Sequence, residues 1–302
     1  MEITADIDLS PDELSRMELH TFLNILQILM AELHLLRVDL DQPASLAQSY
    51  RLTETILDEV RQGQLTPEQG LRLASVGFYF ARELEEALPA LADPDNVSQM
   101  MESGDNIRSI IDVLTVRLQE YFERQSNGND WTAHKINQLT DNFMRFFAAV
   151  EKNSRGRYQI RFNVAARGRS DYLVNFKIEG PAGTDSLLMP PVMQDVFRDL
   201  IANARKYTPL GGSINAGLLQ NHQELRMVVE DNGIGISADE INRVVEFGYR
   251  GKRSRDHKTH GGGFGLTKAY VTTRQFGGRF WIESSAGEGT RIIIRIPLPQ
   301  AS

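Results

Sequence analysis

Three polar side chains fall on one face of a predicted helix in the second half of the chain. Asp199, Asn203 and Lys206 are spaced three and four residues apart, which is the separation of neighbours on a helix surface. An asparagine oxygen is a hard ligand that suits Mg²⁺, and a lysine one turn later could meet a phosphate as a point charge. The alternative, which this segment taken alone would favour, is an amphipathic helix with a solvated polar face.

A second cluster reads Val-Glu-Asp-Asn-Gly-Ile-Gly-Ile and lies at the end of a predicted strand, at residues 229–236. Asp231 at a strand end can accept a hydrogen bond from an exocyclic amine such as that of adenine. Gly233 and Gly235 let the backbone approach a ligand closely. A plain Asn-Gly turn would explain the same residues.

Glycine and basic residues dominate the segment that follows. Residues 259–269 form a glycine-rich loop that enters a helix, where backbone N–H groups make an anion site. Residues 247–258 are strongly basic in an acidic protein. This placement favours a mobile lid with counter-charge for phosphates, and a solvated surface loop is the alternative. Residues 287–290 form a last glycine turn in the final predicted hairpin.

The order and spacing of these clusters resemble the ATP-binding domain of sensor histidine kinases and their relatives in the GHKL ATPase superfamily. The resemblance covers about residues 132–298. It implies an α/β sandwich that holds ATP and Mg²⁺ under a flexible lid, with Asn203 as the Mg²⁺ ligand and Asp231 on the adenine amine. The other nucleotide-binding residues that it implies are Lys206, Tyr207, Gly233, Gly235, Phe247, Gly261, Gly263, Gly265, Leu266 and Thr290.

Asp199 departs from the pattern of the family, which usually has asparagine at this position. A carboxylate here resembles the hydrolysing members of the superfamily, in which it activates water. This residue therefore raises a GHKL-type ATPase as an alternative to phosphotransfer.

His20 is the expected phosphoacceptor. It lies beside the seam residue Leu19 on a heptad helix, with Asn24 one turn later on the same face. Its neutral imidazole is nucleophilic near neutral pH. The segment resembles the family's phosphoacceptor box, in which an Asn or Thr four residues after the histidine helps to orient a water for dephosphorylation. The alternative is an ordinary exposed helical histidine, as we expect for His34.

Two neighbours of His20 depart from the box. Thr21 takes the place of the usual acidic general base, and Ile25 takes the place of a frequent proline, so we expect no helix kink. Thr21 supports a second hypothesis, a phosphotransfer or phosphatase module with weak kinase activity, in which Asn24 supplies the phosphatase role.

The first domain, residues 1–128, is predicted to be an all-α helical bundle. Apolar residues spaced by three and four form a heptad seam that must be buried against other helices. This seam consists of Leu19, Phe22, Leu26, Leu29, Leu33, Leu36 and Leu40. Ser10 and Thr66 each begin a capping box with proline at the first helical position.

Further helices are predicted near 45–62, over 66–89 and from about 93. We interpret the first and fourth helices as the hairpin of a dimerisation domain. Residues 45–90 are then an inserted pair that could dock a regulator or simply enlarge the core. The polar stretch 125–130 is the predicted linker.

The second domain, residues 129–302, is predicted to be one α+β sheet covered by helices. Alternating apolar residues indicate strands, and longer periodic stretches indicate helices. The predicted helices are 132–152 and the segment after Pro191, and the predicted strands are 158–164, 172–178, 213–219, 225–231, 279–284 and 290–296.

Composition excludes several classes of protein. The 302 residues have a formal net charge of −7 and include no cysteine. An acidic chain is a poor nucleic-acid binder, and without cysteine there is no disulfide, thiolate catalysis or cysteine-ligated zinc. No uninterrupted apolar run approaches the roughly 20 residues of a membrane span, and no signal pattern begins the chain. We therefore expect a soluble cytoplasmic protein without a membrane span.

These observations predict a homodimeric histidine kinase. ATP would phosphorylate His20, and the phosphoryl group would pass to an aspartate on the receiver domain of a separate response regulator. An upstream sensor or regulator protein could act through residues 45–90.

Overall fold

The structure, a computed structural model, describes residues 1–40, 45–63, 65–90, 94–127, 130–154, 156–252 and 263–299. The chain divides into two compact units. The helical unit is Pro11–Ser126, and the α/β unit combines Met1–Ser10 with Asn127–Ser302. The expected first domain of residues 1–128 therefore differs at its beginning, because the first ten residues belong to the other unit.

Four helices of the helical unit lie in the described part of the chain. They are α1 (Pro11–Asp39), α2 (Ala47–Arg61), α3 (Pro67–Ala87) and α4 (Pro94–Asn127). All seven residues of the predicted seam, from Leu19 to Leu40, are buried. The capping box before α3 is present: Thr66 Oγ1 accepts the Gln69 N–H, and the Thr66 N–H donates to Gln69 Oε1 at 2.6 Å.

The four helices share a single cluster of buried side chains, so residues 45–90 enlarge the core. Phe22 of α1 meets Tyr121 of α4 edge to face, with 5.4 Å between the ring centroids. Elsewhere on α4, Ile111 lies so close to Gly77 of α3 that a Cβ on this glycine would be 3.3 Å away.

Within the described residues, α1 is the one helix with the length and hydropathy to cross a membrane. Its most apolar window has a mean hydropathy of 1.4, and 33% of that window is buried inside the structure.

The α/β unit contains a mixed sheet and a separate strand pair. Its strands are β1 (Glu2–Ile3), β2 (Thr132–Lys135), β3 (Ile160–Arg161), β4 (Tyr172–Glu179), β5 (Ser186–Met189), β6 (Ser213–Gln220), β7 (Glu224–Asp231), β8 (Arg279–Ser285) and β9 (Gly289–Pro297). The strand order in the sheet is β1-β8-β9-β7-β6-β4-β3, and β2 pairs with β5. The strands β3, β4 and β6 are parallel, and the other pairs are antiparallel.

Helices pack on this sheet through one apolar core. They are α5 (Ile136–Lys152), α6 (Val192–Tyr207) and α7 (Gly265–Gln275). Phe143 of α5 and Phe197 of α6 are 5.2 Å apart between ring centroids, and Tyr270 of α7 packs edge to face on Phe280 of β8. The predicted combination of a helical bundle with an α/β sandwich is confirmed.

Two predicted elements of the α/β unit have wrong boundaries. The helix predicted over 132–152 begins as strand β2, because the helical pattern of buried residues starts only with Leu139. Backbone pairing with β5, a short strand that the sequence did not indicate, takes the first four residues. The strand predicted over 158–164 is reduced to β3, because Asn163 Oδ1 accepts the Ala165 N–H and caps a 3-10 turn there.

The linker predicted over 125–130 is partly helical, because α4 continues to Asn127. Both termini of the helical unit thus join the α/β unit through short segments, one before Pro11 and one after Ser126.

The first residues of the chain complete the edge of the sheet. Glu2 and Ile3 pair with Trp281 and Phe280 of β8, and Ile3 is only 1% exposed. The Tyr270 hydroxyl donates to the Ala5 carbonyl at 2.6 Å, which ties the same segment to α7. A two-residue strand has too little periodicity to be found from sequence, so this connection was missed.

Truncation of Ile3 should destabilise the α/β unit. Ile3→Ala removes a fully buried side chain, and we expect a loss of about 2 kcal/mol in the free energy of unfolding. Thr4→Ala is the matched control, since Thr4 is exposed. Chemical denaturation would measure both, and equal effects of the two substitutions would show that β1 contributes no core packing.

Candidate functional site

The helices α6 and α7 meet at two points that are one helical turn apart. Gly265 begins α7 directly against Asn203 of α6, and a Cβ on this glycine would be 2.8 Å from Asn203 Nδ2. One turn earlier on α6 and about one turn later on α7, Lys268 Nζ lies 3.2 Å from Asp199 Oδ2, and both side chains are largely buried. The predicted polar face of α6 is therefore turned towards the start of α7.

Asp231 ends β7 with a half-buried carboxylate. Its Oδ1 accepts the Gly233 N–H at 2.8 Å, and the backbone of Thr290, its partner across β9, supplies a second hydrogen bond. Burial raises the pKa of Asp231 to about 6, although the two hydrogen bonds act in the opposite direction. The carboxylate is thus fixed by backbone donors and poorly solvated, which suits an acceptor for a ligand N–H.

Backbone crowding around Asp231 explains the glycines that follow it. A Cβ on Gly233 would overlap the Tyr207 carbonyl oxygen, which accepts the neighbouring Ile234 N–H at 3.0 Å. Gly235 has a φ of +65°, and a Cβ there would overlap the Ser285 carbonyl oxygen. Any side chain at these positions would displace the backbone that forms this surface.

Lys206 and Tyr207 end α6 next to this turn. Lys206 Nζ lies 5.2 Å from the centroid of the Tyr207 ring. Burial, together with the positive charges of Arg250 and Arg205, lowers the pKa of Lys206 to about 8. A cation that is both desolvated and next to other cations would gain stability from an anionic ligand.

The described residues just before position 253 and just after position 262 contact each other. Phe247 and Phe264 pack with 4.7 Å between ring centroids, and Thr267 Oγ1 donates to the Glu246 carbonyl at 3.0 Å. Gly263, with a φ of +78°, packs against the backbone of Gly248. Residues 253–262, and with them the predicted site residue Gly261, lie outside the described residues.

The last two predicted nucleotide-binding residues lie next to the elements described above, Thr290 beside Asp231 and Leu266 within α7. Thr290 Oγ1 is 2.9 Å from Ser284 Oγ, next to Asp231 in the strand register. Leu266 is half-buried against the core of the α/β unit.

Two residues of this region were missed by sequence reasoning. Glu240 is buried, and its carboxylate accepts hydrogen bonds from Ser237 Oγ at 2.7 Å and from Tyr249 Oη and the Lys252 N–H, both at 2.8 Å. The bond from Ser237 is the largest cause that lowers the pKa of Glu240 to about 2. The Ser-x-x-Glu spacing could have indicated this residue. No local pattern could have indicated Lys268, which is 69 residues from its partner.

The predicted phosphoacceptor pair lies in the helical unit. His20 and Asn24 are both half-buried on α1, and Asn24 Nδ2 is 3.0 Å from His20 Nε2. An amide nitrogen can only donate, so Nε2 accepts and keeps its lone pair in this arrangement. His34, by contrast, is exposed on the same helix.

The cluster in the α/β unit fits a nucleotide and a divalent cation. Asp231 offers a poorly solvated acceptor for an amine, the glycine turn offers backbone surface, and Lys206 offers a cation. Asn203 offers a hard oxygen beside the N-terminus of α7, where backbone N–H groups favour anions. Nowhere in the described ranges do three His, Cys, Asp or Glu side chains gather into a metal site.

Residues 190–300 match the family described as histidine kinase-, DNA gyrase B-, and HSP90-like ATPase. This part of the chain is similar to that family, and the resemblance found in the sequence is confirmed for these residues.

Similar proteins include sensor kinases. The chain is 39% identical over 100 residues to the sensor histidine kinase RppB of Synechocystis sp., an alignment of 33% of this chain and 22% of that protein. It is 36% identical over 104 residues to the sensor histidine kinase WalK of Bacillus subtilis, covering 34% of this chain and 17% of that protein. The alignments thus span about a fifth of the length of these curated relatives. Among solved structures, the catalytic domain of histidine kinase ThkA aligns with a TM-score of 0.40 at 18% identity, covering 56% of this chain and 97% of that chain.

The pKa of Asp231 predicts a pH dependence of nucleotide binding. A pKa of about 6 means that Asp231 is mostly charged near neutral pH and becomes protonated in mildly acidic solution. The charged form is the stronger acceptor for an amine, so ATP affinity should fall by about threefold to tenfold as the pH drops from about 7.5 to 5.5. Calorimetric titration at both pH values would measure the ATP affinity. The Asp231→Asn protein is the control for the titration of ATP itself. An equal fall of ATP affinity in both proteins would contradict the assignment of Asp231 as the acceptor of the amine.

Proposed function

We propose that this chain is an ATP-dependent protein-histidine kinase of a two-component system. The observation that carries the proposal is the family match over residues 190–300, because Asn203, Lys206, Asp231 and the glycines around them all fall within it. The sequence similarity to the sensor kinases RppB and WalK supports the same activity.

The α/β unit would bind ATP with Mg²⁺. Asp231 would accept the adenine amine, with Gly233 and Gly235 giving the ring access to the backbone. Lys206 and Tyr207 would line the nucleotide, and Asn203 would hold Mg²⁺, which neutralises phosphate charge during phosphoryl transfer. The remaining contacts would come from Phe247, Gly261, Gly263, Gly265, Leu266 and Thr290.

His20 would accept the γ-phosphoryl group. The hydrogen bond from Asn24 keeps the proton of a neutral His20 on Nδ1 and leaves the lone pair on Nε2. In the reaction, the hydrogen bond from Asn24 to Nε2 breaks and the Nε2 lone pair forms a bond to the γ-phosphorus, while the bond from this phosphorus to the β,γ-bridging oxygen breaks and ADP leaves. The Nδ1 proton then passes to solvent. Because Thr21 replaces an acid, no carboxylate directly after His20 assists this step.

The partners would be a second copy of the chain and the receiver domain of a response regulator, whose aspartate would take the phosphoryl group. Leu14, Ile28 and Leu35 are all more than a third exposed and recur at multiples of seven along α1, as a helix interface between two copies requires. An upstream sensor or regulator would provide the input.

We propose a cytoplasmic location for the described residues, with α1 as a core helix of the bundle. The support for this proposal is the seam of α1, whose residues from Leu19 to Leu36 are buried among the other helices.

A second candidate function is that of a phosphatase or phosphotransfer module with weak kinase activity. The contact between Asn24 and His20 supports it, because the same amide could orient a water against a phosphorylated regulator. This candidate predicts dephosphorylation of the regulator without appreciable labelling of the chain itself.

Incubation with γ-labelled ATP and Mg²⁺ tests the proposed function. The unsubstituted protein should acquire acid-labile, base-stable label. His20→Ala should lose the label but still bind ATP, and Asn203→Ala should lose both. His34→Ala is the matched control on the same helix and should be labelled normally. Label retained by His20→Ala would exclude His20 as the acceptor.

A further inference from the structure

The buried ion pair between α6 and α7 has no place in the binding scheme above. Lys268 Nζ and Asp199 Oδ2 are 3.2 Å apart, and their side chains are 10% and 19% exposed. Exposed ion pairs contribute little, whereas breaking a buried pair leaves an uncompensated charge in a poorly solvated place. This pair therefore has consequences that the exposed pairs of the same unit, such as Lys177 with Glu179, do not have.

The position of the pair relates it to the phosphates. Asp199 is one turn before Asn203 on α6, and Lys268 is about one turn after Gly265 on α7. The pair thus lies about 5 Å along the helices from the contact between Asn203 and Gly265, where the proposed site holds the metal and the anion. At that range a carboxylate interacts strongly with phosphate and with a water beside it.

A carboxylate in this position could act as a general base for hydrolysis. In that reaction the oxygen of a water forms a bond to the γ-phosphorus, the bond to the β,γ-bridging oxygen breaks, and the carboxylate takes the proton of the water while ADP leaves. Such a reaction would consume ATP without phosphorylating His20. Lys268 is placed to prevent it, because it engages the carboxylate oxygen that would accept the proton.

We propose that Lys268 is a positioning residue that holds Asp199 in the ion pair, and that the pair directs ATP towards phosphoryl transfer instead of hydrolysis. This inference rests on the proposed function. It concerns how ATP is used in the site, and it accounts for an acid at position 199 in a site that transfers phosphate.

The test measures phosphate release in the His20→Ala protein, in which transfer to this histidine is absent. Lys268→Met should raise the release of inorganic phosphate from ATP by about tenfold or more, since general-base assistance has at least this effect. The double substitution Asp199→Asn/Lys268→Met removes both charges and should return the rate to that of the parent. Lys268→Arg retains the cation and should also stay at the parent rate. Lys177→Met, which breaks an exposed pair, is the control.

Two further measurements separate the inference from its alternatives. Thermal unfolding and ATP binding are recorded for each protein, so that a misfolded Lys268→Met protein is recognised. In that case the rates of phosphate release from the Lys268→Arg protein and from the double substitution decide. Higher release with Lys268→Arg, or high release that persists in the double substitution, would overturn the inference. So would unchanged release in a folded Lys268→Met that binds ATP, or a parent rate that falls in Asp199→Asn.

Failure of the proposed function gives a different pattern. A parent that binds no ATP would remove both the function and the inference. A parent that binds ATP, together with unsubstituted protein that acquires no label on His20, would remove the kinase. A simultaneous rise of phosphate release in Lys268→Met would still support the role of Lys268 in restraining hydrolysis.

Discussion

The constraint on which the α/β unit depends is the crowded backbone around the end of β7. The carboxylate of Asp231 is half-buried there, and backbone N–H groups from Gly233 and Thr290 hold it in place. The carbonyl oxygens of Tyr207 and Ser285 leave no space for a side chain on the turn that follows. An acid that is desolvated yet held by fixed donors is suited to one ligand group, an N–H that enters from the open side.

The second part of the site is organised by contacts between helices. Asn203 lies against the first residue of α7, and the ion pair of Asp199 with Lys268 repeats the connection one turn away. These contacts hold the first turn of α7 against α6. The rings of Phe247 and Phe264 pack together directly before the start of α7. The proposed nucleotide site therefore depends on the contacts between α6 and α7 and on the packing of the two phenylalanine rings.

Long periodic patterns and glycine motifs made much of this molecule predictable. The seam of α1, the capping box at Thr66 and the long strands β6, β7 and β9 follow from side-chain spacing, which reflects burial directly. The resemblance of residues 190–300 was recognisable because glycines are needed wherever backbone approaches backbone. The prediction for Asp231 concerned a residue type at a strand end, and the structure places it there.

What could not be predicted depends on contacts between distant residues. The two residues of β1 carry no period, and only the exposed edge of β8 makes them a strand. Residues 132–135 directly precede helical residues but pair with β5, which lies more than 50 residues later. Lys268 looks like an ordinary polar residue of a helix until α6 brings Asp199 beside it.

The role of Asp231 as acceptor of the adenine amine is tested most directly with two purine nucleotides that differ at one group. ATP carries an exocyclic amine on the base, and inosine triphosphate has a carbonyl oxygen in its place. Binding of both would be measured by calorimetry to the unsubstituted protein and to Asp231→Asn. If Asp231 accepts the adenine amine, the unsubstituted protein should bind ATP about tenfold or more tightly than inosine triphosphate, because a charged hydrogen bond is lost with the amine. The Asp231→Asn protein should lose this preference. Equal affinity of the unsubstituted protein for both nucleotides would contradict this role.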